Sequence, residues 1–380
     1  MQLERALVLA PHFPPAFLGG GPIRTLEALV PSRPDGIHVD VLTADRDLYQ
    51  RRPLNVPLNE WVEKAYGRVR YATPTLANLA RVLWSTRVDR PDLVYLNSFF
   101  HPLFAIAPWL MACCGLWGRA TILLAPRGEF GQDAYRRKAP KKRVVVALHK
   151  VLRMHRRVIW HASTPDEAAD IRRIMGPEVR IVVRRDDTDL PTTAVVPSER
   201  QPGCLRVAFL ARIAPIKGLD VLLQALQRVS VPIVLDVYGP EEDPKYAARC
   251  RSLARSLPDC VSVTFVGAID NSEVAATIAG HDLSALPTGG ENFGHAIAES
   301  LAAACPVMLP DTTSWTEVLR NGGGVVVEDR EPATWARQLE AYANEGPDAW
   351  RERRRRAARA YEAWMAESDE DHLFDILRAL

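Results

Sequence analysis

The chain lacks most of the signatures that would settle its class at once. Its six cysteines in 380 residues include no CxxC pair, which excludes a disulfide framework and a thiolate zinc site. They read as the reduced thiols of a cytoplasmic protein. Neither the G-x-G-x-x-G fingerprint of nicotinamide binding nor a P-loop occurs anywhere in the chain. No apolar run reaches the roughly 20 residues of a membrane span. The longest, 101–118, is broken by two prolines and reads as a core helix or one dipping into a surface. The first 15 residues carry a charged pair, Glu4 and Arg5, and too short an apolar stretch for a signal peptide. A net charge of +2 gives no global attraction to nucleic acid. The remaining balance, 47% hydrophobic and 25% charged, is that of a soluble folded protein long enough for two domains or three.

Within those limits the chain has a strong internal rhythm. Short β-rich apolar runs alternate with helical patterns. They fall at 5–11, 38–44, 68–73, 92–98, 121–128, 157–163 and 179–185 in the first half. After the polar, proline-bearing segment 187–203 they restart at 205–212, 233–239, 261–267, 283–288, 306–310 and 324–328. Strands without polar alternation, separated by helices, predict parallel sheets covered on both faces. Two such series predict an α/β protein of two doubly wound, Rossmann-like domains facing across a cleft. The expected division is an N-terminal domain at 1–187, a linker at 188–203, a C-terminal domain at 204–345 and helices at 346–380. No short repeat period marks a solenoid.

Open α/β sheets bind ligands outside the carboxyl ends of their strands, so the loops there are the ones to read. "ARIAPIKG" (211–218) sets Arg212 at a strand end and Lys217 five residues later, ahead of a helical pattern. Two cations at a helix start suit a diphosphate, because the dipole and free amides add to their charge. The plain alternative is a solvated Arg and Lys on a surface turn. "GGENFGHAIAESL" (289–301) leads into a helix whose Ile297, Leu301 and Ala304 recur at i, i+4, i+7. Phe293 and Gly294 stand at its start, with amides that would face an anion. Glu291 and Glu299 flank that start; carboxylates repel phosphate, and their natural partners are the hydroxyls of a sugar or ribose. Complementing the helix dipole accounts for Glu299 but not for Glu291, which lies outside the helix. A third loop carries Gly19, Gly20 and Gly21 before a helix, suited equally to a phosphate and to a flexible turn.

In order and spacing, "FLARIAPIKGLDVLLQAL", "VYGPEED", "VTFVGAID", "ALPTGGENFGHAIAESLAAACPVMLPDTTSW" and "NGGGVVV" resemble the retaining, GT-B-type glycosyltransferases of glycosyltransferase family 4. The likeness runs over nearly the whole chain and is most specific in the second half. "LLAPRGEF" and "HASTPDEAADIRRI" look like a bacterial branch that builds cell-surface polysaccharides. The resemblance implies that Arg212 and Lys217 hold the diphosphate of a nucleotide-sugar, UDP-linked. It puts Glu291 on hydroxyls of the transferred sugar, Glu299 on the ribose, and Asn292, Phe293 and Gly294 at the phosphate. Gly239, Val266 and Gly267 would line the donor pocket around the base, with Gly20 and Gly21 approaching the phosphate from the first domain. Two positions depart from the family pattern. Arg127 stands where many members have a histidine; it would bind donor phosphate or acceptor, with His12, His101 or His161 standing in for the base. Ala304 stands where glycine is usual.

Further implications concern chemistry and partners. Transfer would retain the anomeric configuration, the leaving phosphate itself taking the acceptor's proton, with no cofactor and no metal. The acids of "RRDDTD" (184–189) read as solvated, not as a metal-binding pair. The acceptor would be a glycan, a lipid-linked sugar or a small aglycone. Segment 136–157 holds ten Lys or Arg and no acid, and reads as a solvated basic helix or as a contact with anionic membrane at the inner face. The C-terminal helices would cross back to the first domain. Two rivals stand beside the transferase. A sugar-nucleotide 2-epimerase would need acid/base groups, for which Glu129 is the one candidate in the first-half loops. A catalytically silent nucleotide-sugar-binding partner of another transferase is at odds with the intact Arg212, Lys217, Glu291 and Glu299 set.

Overall fold

The computed structural model of the chain describes residues 2–136, 139–152, 158–195, 203–367 and 371–380. The chain forms two compact units, Met1–Asp189 with Glu370–Leu380, and Leu190–Asp369. Part of the expected linker, 196–202, lies outside the described residues.

The first unit is built on strands β1 (Arg5–Ala10), β2 (His38–Ala44), β3 (Trp61–Lys64), β4 (Gly67–Ala72), β5 (Leu93–Leu96), β6 (Thr121–Leu124), β7 (Val158–Ala162) and β8 (Arg180–Val183). They form one sheet in the order β3-β4-β2-β1-β5-β6-β7-β8, parallel except for β3 against β4. Helices α1 (Gly21–Leu29), α2 (Leu76–Thr86), α3 (Ala107–Cys113), α4 (Gln132–Arg136), α5 (Ala139–Val151) and α6 (Pro165–Met175) belong to it. The central strands are buried throughout, which is why they read as unbroken apolar runs. One apolar cluster, with α2, α3, α5 and α6, lies on one face of the sheet, and a second, with α1, on the other. Two expectations need correction. β3 was not foreseen: it is a short antiparallel edge strand, half exposed, without an apolar run to announce it. Segment 101–118 is not one helix. It makes a wide helical turn over Pro102–Ile106, and α3 starts beyond it with Pro108 in its first turn.

The second unit holds β9 (Leu205–Leu210), β10 (Ile233–Tyr238), β11 (Val261–Gly267), β12 (Leu283–Ala285), β13 (Val307–Pro310) and β14 (Gly324–Val327). Their order is β11-β10-β9-β12-β13-β14, and every pairing is parallel. Its helices are α7 (Leu219–Leu226), α8 (Pro244–Ala254), α9 (Asn271–Ala279), α10 (His295–Ala302), the short α11 (Thr316–Val318), α12 (Pro332–Ala343) and α13 (Pro347–Ala366). Asp243 and Asp270 cap α8 and α9 by accepting from amides one turn in. The edge strand β11 alternates between half-buried and exposed residues, unlike the doubly covered strand expected there.

The tail divides between the units. Trp350, Ala357 and Tyr361 of α13 pack into the second-unit core beside Trp335. The last helix, α14 (Leu373–Ala379), buries Leu373, Phe374 and Leu377 in the first-unit cluster beside α1. Only that last helix thus belongs to the first unit, not the whole of 346–380.

Arg354 of α13 is 1% exposed and acts as an internal clamp. Its guanidinium donates to the carbonyls of Ala279, His281 and Ala303 at 3.0, 2.9 and 3.2 Å, closing the ends of α9 and α10. A buried cation survives only with such partners. Arg354→Met keeps the length of the side chain but strands all three carbonyls. It should lower the unfolding free energy of this unit by on the order of 3 kcal/mol, read as a reduced midpoint in a guanidinium titration.

Candidate functional site

In the second unit, β9 and β12 are neighbours from which the strand order runs outward in opposite directions. Such a reversal opens a crevice at the carboxyl ends of the two strands. The loop after β9 passes Arg212, turns through Pro215–Lys217 and enters α7 at Gly218, which is left-handed with φ 72. A Cβ on Gly218 would lie 2.1 Å from the Pro287 carbonyl oxygen, so glycine is required where the two loops meet. The loop after β12 is tied to the same turn. The amide of Gly289 donates to the Ile216 carbonyl at 2.7 Å, and the Thr288 hydroxyl reaches the same oxygen at 3.3 Å.

These joints bring Lys217 and Glu291 together. Lys217 Nζ donates to Oε1 and Oε2 of Glu291 at 2.6 and 2.7 Å, with both side chains largely buried. Arg212 forms an ion pair with Glu242 of the loop after β10. The two cations read from the sequence therefore each hold a carboxylate. A further cation, Arg330, was not anticipated; its Nε donates to the Pro287 carbonyl at 2.9 Å. It follows β14, far along the chain, and nothing in its local sequence signals the contact.

Helix α10 begins at Gly294, with φ 88, where a Cβ would stand 2.7 Å from the indole nitrogen of Trp315. That indole N–H donates to the Phe293 carbonyl at 2.5 Å. Phe293 itself is buried against Trp315 and Trp364, whose rings lie 4.5 Å apart. The aromatic cluster fixes the direction of the helix start, where the first amides have no acceptor within the helix. Asn292 is half-buried just before it, and Glu299, one turn in, is 6% exposed. At the neighbouring strand ends, the Gly239 amide donates to the Gly267 carbonyl at 2.8 Å, and Val266 is 48% exposed on the edge strand. Among the described residues, no three His, Cys, Asp or Glu side chains gather as a metal cluster.

In the first unit, Gly20 precedes α1 with φ 65 and Gly21 is its first residue. Arg127 is placed differently from the expectation. Its side chain is 5% exposed, and its guanidinium pairs with Asp186 and donates to Asn97 Oδ1 at 2.6 Å and the Tyr95 hydroxyl at 2.5 Å. That network occupies the guanidinium inside the unit. It also overturns the solvated reading of 184–189, since Asp186 is buried and Asp187 accepts from Arg184. Glu129 accepts from the amides of Phe99 and Phe100 at 2.7 and 3.1 Å and from Ser98, so it caps a turn. Burial raises its carboxyl above the ordinary value.

His12, His101 and His161 are all held toward neutrality by burial. His161 Nε2 lies 3.0 Å from the Arg184 carbonyl, so that nitrogen carries the proton and Nδ1 accepts from Tyr95 at 2.8 Å. Both ring nitrogens are thus engaged in the interior. His101 is lowered to about 4, and its Nδ1 accepts from the Phe104 amide at 3.1 Å. Folded values below the unfolded one mean that the unfolded chain binds the extra protons. Stability is therefore full above about pH 6.5 and falls as pH drops toward 4. For His101 alone the loss at pH 5 is about 2 kcal/mol. Thermal melts should show a lower midpoint at pH 5 than at neutrality, and His101→Asn, which still accepts from the Phe104 amide, should shrink the difference by the share of His101 while His12 and His161 keep theirs.

Comparison with known proteins follows the same outline. Residues 198–363 match the family described as Glycosyl transferases group 1. A D-inositol 3-phosphate glycosyltransferase of Rhodococcus erythropolis is 31% identical over 201 residues, 47% of this chain and 44% of that protein. A protein of the same description from Nocardioides is 32% identical over 161 residues, 38% of this chain and 35% of that protein. The chain spans less than half the length of these relatives. Among solved structures, Alr3699/HepE of Anabaena in complex with UDP and glucose is similar at a TM-score of 0.72 and 15% identity, over 99% of this chain and 100% of that one. Sucrose-phosphate synthase of Thermosynechococcus elongatus reaches 0.67 at 17% identity over 100% of both. At such identities the likeness is one of fold, and that fold is the GT-B class of two doubly wound domains.

Proposed function

We propose, from the match of residues 198–363 to the group 1 glycosyl transferases, that the chain is a retaining glycosyltransferase moving a hexose-type sugar from a UDP-sugar to an acceptor hydroxyl. The observation that carries this reading is the joint at β9 and β12, where Arg212, Lys217 and the α10 start stand with Glu291. UDP with glucose in the Anabaena structure supports the donor class. The D-inositol 3-phosphate and sucrose-phosphate enzymes support transfer to a small phosphorylated or sugar acceptor within a wider field that includes glycans and aglycones.

In this reaction Arg212 and Lys217 bind the diphosphate, and the amides at Phe293 and Gly294 complete its surround. Glu291 accepts hydroxyls of the transferred sugar and Glu299 those of the ribose. The acceptor oxygen bonds to the anomeric carbon as the bond from that carbon to the diphosphate breaks. The acceptor proton passes to the leaving phosphate oxygen, so no protein base is required, in keeping with an Arg127 engaged in the interior. Fixed cations and the helix dipole stabilise the developing charge, and no divalent metal is needed. Glycan or glycoside synthesis in the cytoplasm or at the inner face of a membrane is the proposed setting.

Proton NMR of the protein with UDP-, GDP- and dTDP-sugars tests the reading. Slow release of nucleoside diphosphate from one donor is expected; a 2-epimer in its place would establish the epimerase, which the turn-capping role of Glu129 does not favour. Arg212→Ala and Lys217→Ala should each weaken UDP binding by about 10- to 100-fold, the size of one charge-assisted contact. Glu291→Gln should separate the two halves of the donor. Calorimetry should show UDP bound as well as before or better, since a competing carboxylate is gone, while the UDP-sugar loses affinity.

A further inference from the structure

The first unit carries a cavity where β1, β5 and β6 begin, at the end of its sheet opposite to the strand carboxyl ends. Its volume is about 740 Å³, within the roughly 300–1,000 Å³ usual for small-molecule sites. Three segments wall it: the turn that closes α2, the approach to β5, and the stretch between α3 and β6. Fixed contacts join them. The Trp117 indole donates to Thr86 Oγ1 at 2.9 Å, the Thr121 amide to the Asp92 carbonyl at 2.8 Å, and the Asp92 amide to the Arg5 carbonyl at 2.9 Å. The cavity is thus built by core and backbone contacts before any ligand arrives.

Its charges do not balance. Arg87, Arg90 and Arg119 all stand on its wall, and among the described residues none of the three pairs with a carboxylate. Asp89, in the same turn, is taken by Arg5 at 3.7 Å and Arg68 at 3.3 Å. Among the described residues Asp92 is the one acid on the wall. Its Oδ2 accepts from the amides of Glu4 and Arg5, both at 2.9 Å, while Oδ1 has no protein donor among the described residues. A single exposed arginine is ordinary. Three that converge on one concavity repel one another unless an anion lies among them. Arg90 is marked a second time, by a left-handed backbone at φ 45. Strain of that kind in a residue other than glycine gathers at ligand sites.

We propose that this cavity binds a small organic phosphate that also carries hydroxyls, a ligand of the sugar-phosphate class. The guanidiniums offer planar forks of donors that match phosphate oxygens. Asp92 Oδ1 accepts a hydroxyl, the donor that such a ligand brings with it. The same carboxylate disfavours a bare polyphosphate, which adds negative charge and no donor. Val88 and Leu116 give the carbon frame an apolar wall. The proposal does not rest on the transferase reading, since the donor crevice belongs to the second unit and is built from other residues.

Calorimetry of the whole chain with glucose 6-phosphate, inorganic phosphate, pyrophosphate and glucose is the test. Glucose 6-phosphate should bind with a Kd of about 1 mM or tighter, and inorganic phosphate about fivefold more weakly for want of the hydroxyl contact. Glucose should give no measurable heat. Arg87→Ala with Arg119→Ala should weaken glucose 6-phosphate about tenfold or more, the size of a lost charge-assisted contact. Arg90→Gly removes the third guanidinium and suits the left-handed backbone, so it should weaken binding while the thermal midpoint holds or rises. Circular dichroism checks that each variant is folded. UDP titration of these variants should match the parent, and Arg212→Ala should weaken UDP while leaving glucose 6-phosphate as it was. The proposal is overturned if the parent takes up no glucose 6-phosphate, or if the folded cavity variants bind it like the parent. A loss that follows Arg212→Ala in place of the cavity variants overturns it too, by placing the phosphate in the donor crevice. Phosphate or pyrophosphate bound as tightly as glucose 6-phosphate would overturn the assignment to a ligand with hydroxyls. Failure of the parent to bind UDP would sink the transferase reading and leave this one standing.

Discussion

The joint between the loops after β9 and β12 is the contact on which the rest of the site depends. Two neighbouring parallel strands feed loops that turn away from each other, and only close backbone approach keeps those loops in register. Gly218 against the Pro287 carbonyl and the Gly289 amide on Ile216 supply that approach. Any side chain at 218 would push the loops apart by steric contact at 2.1 Å. Lys217 and Glu291 would then separate, and the start of α10 would lose its position relative to Arg212. The charges of the site are thus set by backbone packing first and by side-chain pairing second.

The same logic separates the two units. In the second unit the cations stand on loops and keep partial exposure, with Arg212 37% exposed. In the first unit Arg127 stands in the interior, and each donor of its network ends on a specific acceptor, through Tyr95 and His161 to the Arg184 carbonyl. A guanidinium so held orders the ends of β5, β6 and β7 and the segment after β8 that carries Asp186. Its backbone, left-handed at φ 52, points the same way: a non-glycine residue holds that conformation only where its surroundings insist on it.

How much of this was legible beforehand varies with the range of the interaction. Most strands were read within a residue or two, because burial on both faces writes itself as an apolar run, but the runs at 121–128 and 283–288 extend four and three residues past the ends of β6 and β12. β3 was missed since an antiparallel edge strand with one covered face leaves no such run. Arg212, Lys217 and Glu291 were legible because strand ends and a helix start bracket them locally. Their mutual pairing was not, since it depends on the strand order. Arg330 and Arg127 mark the limit: one joins the site from beyond β14, and the other sits inside a core that its flanking "PRG" does not reveal. Ala304 lies between. The sequence showed an alanine where glycine is usual, and the structure gives the cause, a turn with φ 51 after α10 that alanine adopts at a cost of about 1 kcal/mol.

The Lys217–Glu291 pair bears on how the proposed donor would be recognised as a whole. At separations near 3 Å, largely shielded from water, such a pair holds several kcal/mol of Coulomb energy before desolvation is set against it. A diphosphate offers Lys217 more negative charge than one carboxylate does, so it competes for the ammonium on favourable terms. Every degree to which Lys217 turns toward phosphate leaves Glu291 in need of other donors, and sugar hydroxyls are the donors that a nucleotide-sugar brings with it. A nucleotide without the sugar would leave that carboxylate half-buried and under-satisfied, a penalty of the order of 1–3 kcal/mol. In the proposed reaction the ion pair would therefore convert two separate recognitions, of phosphate and of sugar, into a single coupled one, and would place discrimination for an intact donor in one lysine and one glutamate.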